Sequence, residues 1–264
     1  MRIAKNIFVW LIALGYFIAS IALVSADKED KICNTIDFSI NDTTGCYFVE
    51  RTDILQLLEQ RNLKTIGQPF TRINKAQIEQ AVINHPSVKN AQVYIENDST
   101  LAIEVVQRNP IVRVFNYNGE SYYIDKEGYV MPLSENYTAH VPVVSGKINE
   151  PYGRFVGWKI DEYESRNELG RTTILDDVYL LATFLINNYF WQSQIEQLFV
   201  NVEGEFEMVP KVGANIIEFG DASELEEKFN KLELLYERGF RRVGWNKYSR
   251  INVKYKNQVV CTKR

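Results

Sequence analysis

Val88-Lys89-Asn90-Ala91-Gln92-Val93-Tyr94-Ile95-Glu96 and Thr100-Leu101-Ala102-Ile103-Glu104-Val105-Val106-Gln107, joined by Asn97-Asp98-Ser99, decide how this chain of 264 residues folds. Both runs alternate, the period of a half-buried strand, and a short polar turn between two such runs reads as a hairpin. Upstream, Ile73, Ala76, Ala81 and Val82 form the apolar side of a helix over residues 74–84. Pro86 ends that helix, because the residue before a proline is pushed out of the helical region. Thr52 is placed to cap an earlier helix carrying Ile54, Leu55, Leu57 and Leu58, and residues 36–40 alternate as a short strand before it. The order is strand, helix, helix, strand, strand within about 75 residues, enough for a small independent domain.

Beyond Pro110 the chain turns mainly to strands. Residues 121–124 and 129–131 flank Asp125-Lys126-Glu127-Gly128, where Gly128 suits the left-handed position of a hairpin turn. The acids of that loop lack the further oxygen ligands at regular spacing that a calcium loop supplies, which favours a plain turn. Val141-Pro142-Val143-Val144-Ser145-Gly146 reads as another short strand. Residues 175–191 read as one buried helix, apolar on more than one face through Val178, Leu180, Leu181, Phe184 and Leu185. Strands over 198–202, 206–209 and 215–219 precede a last helix. Ser223 and Glu226 have the spacing of a capping box for it, Leu225, Phe229, Leu232 and Leu235 form its stripe, and Gly239 marks its end.

Working back to the N-terminus, residues 7–26 are twenty consecutive uncharged residues. At a rise of about 1.5 Å per residue they cross a hydrocarbon layer of roughly 30 Å, so a transmembrane helix is expected. Val24-Ser25-Ala26 before Asp27, with Arg2 and Lys5 ahead, also fits a cleaved signal peptide, although the run exceeds the roughly 7–15 residues of such an apolar region. Both readings export the chain from Asp27 onward. The flanking Lys and Arg are tied at two each, so size sets the orientation: residues 1–6 are the cytoplasmic stub. Cys33 and Cys46 could pair across a short loop, but three cysteines make no disulfide framework and three ordinary thiols fit equally well.

With 45% hydrophobic and 24% charged residues, the chain is neither disordered nor a small disulfide scaffold. The net charge of −4 hides a division. The last 27 residues hold nine Lys and Arg and no acid, whereas residues 27–237 hold 19 basic and 34 acidic residues, a net of −15. Trp245, Tyr248 and Tyr255 in the basic end could stack on bases, but an exported segment meets little nucleic acid, and no nucleic-acid partner is expected. An acidic protein or anionic lipid fits that charge better.

Catalytic chemistry is sparse. The two histidines, His85 beside Pro86 and His140 in a polar loop, have no metal or triad spacing, and there is no nucleophile elbow, phosphate loop or Cys-x-x-Cys. Asp176-Asp177 and Glu226-Glu227 fall on different helix faces, as expected of acids near a helix start. No catalytic residue, metal site or cofactor is expected. Ile251-Asn252-Val253-Lys254-Tyr255-Lys256 alternates strictly and, as the final strand, reads as a sheet edge open to a second chain.

These parts in this order resemble the FtsQ (DivIB) family of bacterial cell-division proteins. Pro86-Ser87-Val88-Lys89-Asn90-Ala91-Gln92-Val93 with Asp98-Ser99-Thr100-Leu101-Ala102-Ile103-Glu104-Val105 is similar to the second half of that family's POTRA domain. Gln107-Arg108-Asn109-Pro110 is similar to its acid-Arg-x-Pro exit, with Gln107 in place of the acid. Asp125-Lys126-Glu127-Gly128, the strand ending at Gly146, Ile216-Ile217-Glu218-Phe219-Gly220 and the last strand follow in the family's order. Ser87, Asn252 and Lys254 depart from residues common there, residues 45–50 do not match the glycine usual after the first strand, and residues 152–171 look like an insertion.

The resemblance implies an α+β chain: a stub (1–6), one transmembrane helix (7–26), a POTRA-like domain (27–109) and a strand-rich β domain with helices packed on its sheet (110–264). It implies a non-enzymatic scaffold in the inner (cytoplasmic) membrane at the division septum, with the bulk of the chain periplasmic. Its partners would be FtsB and FtsL, a strand of FtsB extending the last strand at Ile251, Asn252, Val253, Lys254, Tyr255, Lys256 and Asn257, with Tyr255 as the contacting aromatic and Lys254 and Lys256 available for acids. The POTRA module would serve recruitment to the septum. The runner-up, a POTRA-bearing component of protein translocation or outer-membrane assembly, calls for a long C-terminal barrel that two helices after residue 170 and the short remaining chain do not accommodate.

Overall fold

A computed structural model describes residues 10, 12–20, 31–41, 45–97, 99–160 and 173–264. Of the expected membrane span, residues 10 and 12–20 are described and helical, while the remainder of 7–26 and the stub lie outside the described residues. No helix among the described residues is long and apolar enough to cross a membrane. Part of the expected insertion, 161–171, also lies outside them.

The chain forms two compact units, residues 1–43 with 49–107 and residues 44–48 with 108–264. In the first, β1 (Thr35–Ile40), α1 (Arg51–Gln60), α2 (Lys75–Ile83), β2 (Val88–Asn97) and β3 (Thr100–Gln107) follow the expected order. The hairpin β2–β3 forms in antiparallel register, Ile95 opposite Leu101, and β1 joins β3 in parallel, giving the sheet order β1-β3-β2. Burying one face of each element makes the core: Ile54 and Leu58 of α1, Ile78, Ala81 and Val82 of α2, and Ile36, Leu101, Ile103 and Val105 of the strands. Asn74 caps α2 by accepting the Gln77 N–H at 3.1 Å. For α1 the cap lies two residues earlier than expected. Glu50 is the cap, and Asp53 accepts its backbone N–H at 2.8 Å, so Thr52 sits inside the helix.

The second unit is built on a sheet of nine strands among the described residues. These are β4 (Pro110–Phe115), β5 (Ser121–Asp125), β6 (Val130–Met131), β7 (Val143–Gly146), β8 (Ile195–Val200), β9 (Phe206–Pro210), β10 (Ile216–Gly220), β11 (Tyr248–Asn252) and β12 (Val260–Lys263). Their order is β12-β11-β10-β9-β8-β7-β4-β5-β6. A short helix, α3 (Tyr152–Phe155), follows β7. Gly128 takes φ 85 in the expected hairpin turn. There Asp125 accepts the N–H groups of Glu127 and Tyr129 and the Arg108 guanidinium, which lies 3.7 Å from the Tyr129 ring.

Three expectations for this unit need correction. The helix over 175–191 is two helices, α4 (Ile174–Asn187) and α5 (Tyr189–Gln194), because Asn188 adopts extended geometry and its side chain caps the second by accepting the Trp191 N–H. Ser223 does not cap α6 (Leu225–Leu234); the cap is Glu224 in left-handed geometry, while the Ser223 hydroxyl donates to Asp221. Gly239 does not end the last helix either. A π-helical turn (Leu235–Gly239) leads into α7 (Phe240–Val243), and the stop is Gly244 at φ 85. A Cβ at Gly239 would lie 2.6 Å from the Cδ1 of Leu235, the end of a side chain that can give way. The core joins Trp191, Phe206, Phe219, Phe229 and Phe240 with Leu175, Val178, Leu181 and Leu185 of α4.

Candidate functional site

Of the stretch expected to be an open edge strand, only Ile251 and Asn252 belong to a strand, and that strand is interior. β11 ends at Asn252 and has a neighbour on each side, parallel β10 (Ile217 opposite Ile251) and antiparallel β12 (Ile251 opposite Cys261). The edge lies one strand later. Alternation could not reveal it, because Asn257 at φ 59 reverses the chain and β12, only four residues long, carries too short a pattern to read.

Of the seven expected contact residues, Ile251 and Val253 are fully buried, and the Val253 N–H donates to the Glu218 carbonyl at 3.1 Å. The Asn252 amide donates to Glu218 at 2.6 Å, and the Lys254 ammonium is held by Glu205 at 2.9 Å. Arg250 completes this ladder across β9, β10 and β11 by binding Glu207 and Glu218. Hydrogen bonding from Arg250 holds the Glu218 carboxyl below the usual range, and donating to Glu205 raises the pKa of the Lys254 ammonium. Behind the strand, Lys231 of α6 donates to the carbonyls of Val253 and Tyr255, each at 2.8 Å. Tyr255, half exposed, and the exposed Lys256 and Asn257 form the turn into β12.

β12 offers the outer edge. Val260, Thr262 and Lys263 are exposed, and Cys261 packs half-buried against the core. Lys263 lies opposite Tyr248, and the Arg264 N–H donates to the Lys247 carbonyl at 3.2 Å, so the end of β12 sits beside the start of β11. Gly244, Trp245 and Asn246 alone separate Lys247 from α7, which exposes Arg241 and Arg242. Among the described residues, Arg238, Arg241, Arg242, Lys247, Lys256 and Lys263 make no ion pair, whereas Arg250 and Lys254 do. Sequence reasoning found the positive tail and missed this division within it, because pairing depends on which strand faces which.

The three cysteines are thiols. No group of three or more His, Cys, Asp or Glu among the described residues could hold a metal ion. A cleft of about 420 Å³ in the second unit is lined by His140, Gln192, Glu196 and Lys211 over Ile111 and Ile186, and Glu196 is its one carboxylate. It does not assemble the paired acids that general acid–base hydrolysis uses.

A family model described as FtsQ/DivIB, C-terminal related, matches residues 109–262, and a model of a POTRA-like domain matches residues 31–106. No curated protein matches the chain.

Proposed function

Since the chain belongs to the FtsQ/DivIB family, with a POTRA-like domain ahead of its C-terminal domain, and is divisome-associated, we propose that it is a bitopic scaffold that captures FtsB- and FtsL-type partners by strand addition. Both domain families are non-catalytic scaffolds. In this reading residues 7–26 anchor the chain with residues 1–6 in the cytoplasm, and a POTRA-like domain (27–109) and a β domain (110–264) stand outside the membrane at the septum. There they help assemble the machinery of septal peptidoglycan synthesis.

The observation that supports it is the terminal position of β12 in the sheet, where no strand among the described residues pairs with its outer side. An added strand would satisfy backbone groups that otherwise rely on water. The proposed contact is the stretch Ile251 to Asn257 together with β12. Ile251 and Val253 hold it to the core from beneath, and Tyr255, Lys256 and Asn257 are accessible at its end. A proline at Val253 would therefore be a poor probe, since it would remove the bond to Glu218.

Hydrogen exchange is the better test. The full chain is to be purified with its co-purifying membrane proteins and without them. The expected result is FtsB- and FtsL-type proteins in the complex and slowed amide exchange at β12. Partners that bind while β12 exchanges unchanged would sink strand addition.

A further inference from the structure

We propose that the cleft at the start of β8 binds a short zwitterionic peptide, a dipeptide in size, whose ammonium meets Glu196 and whose carboxylate meets Lys211. None of the lining residues belongs to β10, β11 or β12, so this site is separate from the edge proposed for strand addition.

The cleft lies where the parallel strands β4, β7 and β8 begin. Its volume of about 420 Å³ falls within the roughly 300–1,000 Å³ of small-ligand pockets. The floor is apolar, with Ile111 and Ile195 buried and Ile186 half-buried. One wall is pinned in place. The Ala139 N–H donates to the Tyr123 hydroxyl at 3.3 Å, and Tyr137 packs edge-on against Phe48 with centroids 5.1 Å apart. His140 continues that wall.

The two formal charges come from the junction of β8 and β9. Ile195 lies opposite Pro210 and Gln197 opposite Val209, so Glu196 is a bulged residue with no partner in the ladder. Bulges re-aim side chains and recur beside binding sites. Lys211 follows Pro210, and its own N–H fixes it by donating to the Gln194 carbonyl at 2.7 Å.

Both side chains are exposed, and neither makes an ion pair with the other or with any described residue. Opposite charges thus line one cleft without neutralising each other. A simple anion would meet Lys211 and be repelled by Glu196, a simple cation would meet the reverse, and an apolar molecule would leave both charges unanswered. A zwitterion answers both. Its apolar side chain covers the isoleucines, and the neutral Gln192 amide is available to the peptide link. The sequence could not display this site, because Glu196 and Lys211 sit on different strands and the bulge exists only in the paired sheet.

The test uses the full chain in dodecyl maltoside micelles. Alanyl-trifluoroleucine is the probe, read by broadening of its fluorine NMR line, and alanyl-leucine, its N-acetyl form and its C-terminal amide compete for the site. Alanyl-leucine should bind at about millimolar concentration or tighter, and each blocked form about threefold or more weakly. Glu196→Gln should erase the penalty for acetylation and keep the one for amidation. Lys211→Met should do the reverse, while Glu203→Gln, in the turn after β8, should change neither.

Equal affinity for free and blocked peptides overturns the proposal. So does a penalty from one block alone, which would make the cleft a site for a single charge. Penalties that persist unchanged in both variants place binding elsewhere and overturn the site. No displacement by about 10 mM alanyl-leucine overturns it as well. The peptide comparison is made on the wild-type chain, so it decides the question even where a variant melts early.

Discussion

At the scale of single residues, two glycines and one acid show how different constraints look alike in sequence. Gly146 sits at φ 109, and a Cβ there would lie 2.1 Å from the Val200 carbonyl, so it is required where β7 closes onto β8. Gly146→Ala should therefore cost about 3 kcal/mol or more, read as a lowered urea midpoint. Gly153→Ala, a helical position with no atom within 4 Å of the added Cβ, should shift the midpoint by no more than about 0.5 kcal/mol. Equal losses would contradict the close-approach explanation. Asp125 was legible as a turn acid from its neighbour Gly128, but its ties to Arg108 were not, since seventeen residues separate them. Burial pushes its carboxyl above the ordinary range even though Arg108 and two backbone amides oppose the shift.

Elements bring such residues into pairs. Lys228 on α6 is buried, and its ammonium binds both the carbonyl and the carboxylate of Asp221, at 2.8 Å and 2.6 Å, which ties the helix to the end of β10. Hydrogen bonding from Lys228 brings the Asp221 carboxyl down to about 2. A carboxylate with a lowered native pKa stabilises the fold above its ordinary value near 3.8, and the contribution fades as pH falls toward 2. Because Asp221 is largely exposed, solvent screening limits this to about 1 kcal/mol. Asp221→Asn should melt lower at pH 7, and its deficit relative to wild type should shrink between pH 4 and pH 2. A deficit constant over that range would show that the ion pair is not responsible. The sequence suggested a Ser223 cap here because spacing reports local hydrogen-bond options, whereas Lys228 drew Asp221 into a longer-range contact that reorganised the turn.

Over the whole molecule, the mild net charge of −4 is the sum of an acidic body and a basic end, and the sheet uses part of one to neutralise part of the other through Glu205, Glu207 and Glu218. The proposed anchor belongs to this scale as well. If residues 7–26 span the membrane, the full chain should stay in the pellet after carbonate and high-salt washes, be released by detergent and retain the residues before Asp27. A mature N-terminus at Asp27 and release by carbonate would establish a cleaved signal instead. Periodicity determined the strand-helix-helix-strand-strand unit and composition the basic end, because alternation, the helical stripe and composition are local properties carried by neighbours in sequence. The tertiary structure alone decided which strand is the edge, which cations are neutralised, and where α4 breaks and the last helix stops. Those outcomes depend on pairing between segments such as β9, β10 and β11, whose energies arise only once distant residues share a sheet.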